Sequence, residues 1–109
     1  MSEPAIIVTM ADTVPGKENA HVLGIARGSV VRARFVGRDF VAGLRNLVGG
    51  EVNEYTELMA QTREQAMGRM IAHASELGAD AVVTFRFSTS TITEGAAEIL
   101  AYGTAVKFK

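Results

Sequence analysis

The chain has 109 residues with 11 basic and 12 acidic side chains, a formal charge of −1 and no cysteine. That length gives one domain, 1–109, with a single core, small enough that an oligomeric interface would add usefully to the buried area. Balanced, interspersed charge argues against nucleic acid or an anionic membrane as a partner, and the lack of cysteine excludes disulfides, thiolate metal sites and a cysteine nucleophile.

The N-terminal stretch MSEPAIIVTMADTVPG has no basic segment, and its apolar run, Ala5 to Val8, is far shorter than a signal or membrane segment. A cytoplasmic location is therefore expected. Ala5 to Met10 reads as a short strand, stopped by a turn at Pro15-Gly16. His21 to Phe35 reads as two strands broken at Gly28-Ser29; in the second, Val31, Ala33 and Phe35 form an apolar face, and Val30, Arg32 and Arg34 a basic one. Phe40, Val41, Leu44, Leu47 and Val48 fall on one helical stripe, with Asp39 in the first turn and Gly49-Gly50 placed to end the helix.

A longer helix is expected from Glu54 to Leu77, stopped by Gly78. Tyr55, Met59, Thr62, Ala66, Met70, His73 and Leu77 share its core side, while Ala60, Met67, Ile71 and Ala74 form a second apolar flank. That sector is wider than one sheet requires, which points to a second covering surface. Next, Ala81, Val83, Phe85 and Phe87 alternate with Val82, Thr84 and Arg86, and EILAYGTAVKFK supplies a last strand that should pair antiparallel with this one. Tyr55, Met59, Ala66, Met70 and Leu77 should pack on the strand face that carries Val83 and Phe85. The order of elements gives an α+β fold: a two-layer domain with an antiparallel sheet packed on one long helix plus a short one.

Little in the chain resembles catalytic chemistry. His21 begins a strand and His73 lies on the core stripe, with no second histidine at helical spacing, so structural or interface roles suit both better than metal ligation. Asp39, Glu54, Glu57, Glu94 and Glu98 are explained by capping, dipole and solubility roles. Gly24, Gly28, Gly49 and Gly50 make no phosphate-binding pattern and read as turn chemistry. The STST run at 88–91 has no histidine near it in sequence, and the methionines of the long helix read as gap-filling core. Arg63 lies near the apolar sector, where its guanidinium would need a partner, preferentially across an interface.

RDFVAGLRNLVGG, Tyr55 opening a long helix, ELGADAVV closing it and YGTAVKFK near the end together resemble the YbjQ family, whose uncharacterised members carry a "putative heavy-metal-binding" label. The likeness runs from Ile6 to Lys107. It implies a dodecin-like α+β subunit and a homopentameric ring that can stack into a decamer. One subunit's helix flank would then meet another's strand edge at AYGTAV. The family's acidic positions in its last-but-one strand correspond to Arg86, Ser88 and Ser90, and its dipeptide before the helix tyrosine is replaced by Val52-Asn53-Glu54, so the metal label transfers poorly. The matching residues, Arg38, Asp39, Gly49, Gly50, Tyr55, Gly78, Ala79 and Gly103, belong to turns and packing.

The expected function is that of a non-enzymatic, ring-forming homo-oligomer that takes a small ligand or partner at subunit junctions and needs no cofactor. Arg38, Asp39, Tyr55, Arg63, Met67 and Ile71 are the candidate interface or cleft residues. Metal binding or metal homeostasis is the alternative, and an enzyme site built from Arg38, Asp39 and Tyr55 ranks behind it.

Overall fold

A computed structural model of the chain describes residues 5–33, 53–93 and 96–109. The expected short helix over Phe40 to Val48 and its diglycine lie outside the described residues. Among the described residues, five elements follow in chain order: β1 (Ile7–Val8), β2 (Asn19–Ala33), α1 (Asn53–Glu76), β3 (Ala81–Thr93) and β4 (Ala96–Phe108). The strands form one four-stranded sheet in the order β1-β3-β4-β2. β3 and β4 pair antiparallel as expected, and β4 pairs antiparallel with β2. β1 is parallel to β3, so the sheet is mixed, where an antiparallel one was expected. The architecture is otherwise the expected α+β layering, with one long helix on one face of the sheet.

β2 is a single strand that passes through Gly28 and Ser29 without a break, which corrects the reading of two strands. The glycine is there for another reason. A Cβ built on Gly28 would lie 2.5 Å from the Ala66 carbonyl oxygen and 2.7 Å from the Arg69 carbonyl carbon, and would strike the Met70 amide nitrogen as well. The backbone of α1 rests directly on the strand at this point, a contact only a residue without a side chain permits. Small residues prolong the close approach: Ala26, Ala66, Ala74, Ala101 and Ala105 are all buried in the main core, with Met70 and Ile99 filling the space between them. At roughly 1.5–3 kcal/mol for each large apolar side chain fully buried, Met70, Ile99 and Val82 carry much of the helix-to-sheet attraction. Thr62 joins Ala66 and Met70 on the buried face as expected, but Ala74, read as part of the second flank, is buried inside the subunit.

The alternation expected in β3 is interrupted. The pairing register with β4 slips between Val83 and Arg86, and Thr84 sits at φ 54°, in the left-handed region that a β-branched residue rarely adopts. The loop after β1 holds it there. The Thr84 amide donates to the Ala11 carbonyl at 3.0 Å, and its hydroxyl donates to the Asp12 carboxylate at 3.2 Å. The bulge changes the phase of the strand, so Val82 and Phe85 face α1 while Ala81 and Val83 face away and pack with Val106. The expected grouping of Val83 with Phe85 under the helix is thereby corrected.

The helix ends as its sequence predicts. Gly78, at φ 81°, donates its amide to the Ser75 carbonyl, and the Ala79 amide reaches the Ala74 carbonyl, both at 3.0 Å. This paired closure satisfies carbonyls that the last turn would otherwise leave free. It also turns the chain directly into β3.

Candidate functional site

β2 and β1 are the two edge strands, and the helix treats the β2 edge in a particular way. The Arg27 amide of β2 donates to His73 Nδ1 at 3.1 Å, and Arg69 donates from its guanidinium to the Ser29 carbonyl at 2.7 Å. His73 and Arg69 are four residues apart on α1 and therefore stack on one side of the helix. Two outward-pointing backbone groups of the edge strand are thus satisfied by side chains from the layer above, which blocks strand addition there. Because Nδ1 is an acceptor here, the proton of the neutral imidazole is on Nε2. Through this bond His73 ties the helix to the edge strand.

The sheet face away from the helix exposes apolar side chains of β2. Cross-strand pairing aligns Ile25, Thr104 and Val83 in one row, Arg27, Tyr102 and Arg86 in the next, then Ser29, Leu100 and Ser88, then Val31, Glu98 and Ser90. On this face Val22 is 71%, Ile25 61% and Val31 56% exposed. Among the described residues, Val14 and Phe108 cover the end of it, over Ala81, Val83 and Val106. These exposed positions were not singled out from the sequence. The available signal was that HVLGIARGSVV places apolar residues on both faces of one strand, the pattern of a strand covered on both sides. In the same stretch the expected faces are exchanged: Val30 is in the core and Val31 is exposed.

Of the candidate interface or cleft residues, the structure describes the surroundings of Arg63, Met67 and Ile71. Arg38 and Asp39 lie outside the described residues. Tyr55 falls in the first turn of α1. Arg63 is exposed on the helix surface. Met67 and Ile71 are half-buried and pack against the subunit's own core. The proposed receiving edge at AYGTAV belongs to β4, which has β3 on one side and β2 on the other and no free edge. The STST residues lie exposed on β3.

The model of a family described as "Putative heavy-metal-binding" matches residues 6–109. The chain belongs to the YbjQ family. Its relatives in this family include a "UPF0145 protein" of Archaeoglobus fulgidus, 54% identical over 98% of this chain and 99% of that protein. One from Pyrococcus horikoshii is 58% identical over 93% of this chain and 86% of that protein, and one from Vibrio parahaemolyticus 52% identical over 94% and 97%. The fold is similar to that of a crystal structure of a Pediococcus pentosaceus protein with unknown function, assigned to the DUF74 family. The TM-score is 0.65 at 12% identity, covering 95% of this chain and 98% of that one, a likeness of fold alone.

The donor set of this YbjQ-family chain does not fit a heavy metal where the structure describes it. Selective transition-metal sites use three or four convergent N, S or O ligands, and no group of three or more His, Asp or Glu side chains placed to hold an ion occurs among the described residues. His73 has its Nδ1 committed to Arg27, and His21 is exposed six positions further back on β2. On β3, Arg86, Ser88 and Ser90 supply no carboxylate. No helix among the described residues is long and apolar enough to cross a membrane.

Proposed function

We propose that the protein is a non-enzymatic, ring-forming homo-oligomer, a pentamer, that holds a small ligand or partner at its subunit junctions. The carrying observation is the open sheet face: Val22, Ile25 and Val31 stand exposed beside Leu100 and Tyr102 on a strand that is apolar on both sides. Monomers seldom leave such a patch in water. The relevant surface is therefore the sheet face rather than the helix flank, whose Met67 and Ile71 already serve the subunit. Heterologous contacts that close on themselves would build the ring. Light scattering at micromolar concentration should give the mass of a pentamer, and a monomer would refute the reading. Ile25→Lys should dissociate the assembly with its circular dichroism retained, because Ile25 is 61% exposed within the subunit. Ile71→Glu would loosen the subunit as well and is the less discriminating variant.

Metal binding, the second reading, is supported by the family description. On the donor set given above, zinc, copper and nickel are expected to bind weakly and without selectivity. Equilibrium dialysis checks this: saturable binding near one ion per subunit would restore the metal reading.

A further inference from the structure

The two sides of the sheet are finished differently. β1 covers the outer side of β3 only at its start, and the last bond there among the described residues runs from the Phe85 amide to the Thr9 carbonyl at 3.0 Å. The direction of the groups beyond it follows from the opposite edge. Since Arg27 turns its amide outward to His73, its register partner Tyr102 must turn toward β3, and Arg86, paired with Tyr102, toward β4. Alternation then points the amide and carbonyl groups of Phe87, Thr89 and Thr91 outward.

We propose that this edge of β3, Phe87 to Thr91, pairs antiparallel with the same edge of a second copy of the chain about a two-fold axis. The proposal rests on the self-assembly reading and adds a contact distinct from the sheet face. Residues 87–91 are exposed and hold no charge, no proline and no lysine, and pairing with β4 stays regular from Arg86 to Thr91. These are the devices by which edge strands are normally kept from pairing, and all are missing here. The β2 edge of a neighbour is a poorer partner, since His73 and Arg69 block it at Arg27 and Ser29. Charge selects the orientation. Arg86 is the one charged residue flanking the described edge, and antiparallel self-pairing sends the two arginines to opposite ends, whereas parallel pairing would set them side by side. Facing Ser and Thr side chains can hydrogen-bond to each other. Such short side chains give little by which to select a foreign peptide. Added to ring contacts, a two-fold contact stacks two rings face to face.

The chain has no cysteine, so single-cysteine variants report this contact alone. Facing residues of an antiparallel pair are about 4.5–5.5 Å apart between Cα atoms, within the roughly 4.4–6.8 Å that a disulfide spans. Mild oxidation should convert either Thr89→Cys or Ser90→Cys, depending on register, to a covalent dimer, and should leave Ser75→Cys on the exposed helix surface uncrosslinked. Thr89→Lys should halve the mass seen by light scattering. An oligomeric wild type in which neither edge variant crosslinks, or whose mass survives Thr89→Lys, overturns the edge contact and leaves the ring standing. A wild type that is only a dimer, crosslinked through the edge, supports the edge and removes the ring. A monomer that never crosslinks removes both.

Discussion

Gly28→Val is expected to prevent the native subunit from forming. Overpacking a core typically costs about 1–3 kcal/mol when neighbouring side chains can shift to make room. At Gly28 the neighbours are the backbone atoms of Ala66, Arg69 and Met70, which move only if the whole helix moves. Lifting α1 off β2 would also break the His73 and Arg69 bonds to the strand and open the space around Met70. The loss should exceed about 3 kcal/mol, a large part of the roughly 5–15 kcal/mol by which domains are stable. Gly28→Ala should be damaging as well, since the clash is with the first side-chain carbon. Urea denaturation, with all proteins at one concentration because assembly adds to apparent stability, should show an early transition or none. A midpoint equal to wild type would mean that helix and strand are not in backbone contact.

Met70→Ala should follow closely, at about 2–5 kcal/mol. Met70 is fully buried between Gly28 of β2 and the alanines of the main core. The cost depends on how far a cavity can collapse, and here the backbones already touch at Gly28, so the helix cannot settle further. The upper half of that range is therefore expected. For a domain of this size a loss of 1 kcal/mol lowers the melting temperature by roughly 4–8 °C. An unchanged thermal midpoint would place Met70 on the wrong face of the helix.

The elements that could be read from the sequence were those with a long, clean period. Thr62, Ala66 and Met70 were placed on the core face by helical spacing, and β3 and β4 emerged from β-branched runs separated by a turn. Gly28 was misread because a glycine inside a strand looks the same whether the chain breaks there or another backbone rests on it. Only the partner, forty residues away in sequence, distinguishes the two. The bulge at Thr84 was equally hidden: it uses a β-branched residue where a glycine would have announced it, and is held by Asp12, so Val83 and Phe85 come to opposite faces without a local sign. The site was less legible than the fold. Arg38 and Asp39 were chosen by resemblance, and the open sheet face could only be recognised once β2 was seen to be apolar on both sides with a helix on one.

The position of β4 sets an order on folding. This last element of the sheet is also its middle: β2 reaches β3 only through it, and residue pairs such as Arg27 with Tyr102 or Val30 with Ile99 are joined across most of the chain. While the polypeptide is being synthesised, β2 and α1 emerge with no sheet to join, and β3 has no hairpin partner until Ala96 to Phe108 follow. Such non-local pairing is slow, because loop closure precedes the contacts that reward it. The chain must therefore remain soluble as an open precursor and assemble its sheet in one late step, when the central strand arrives.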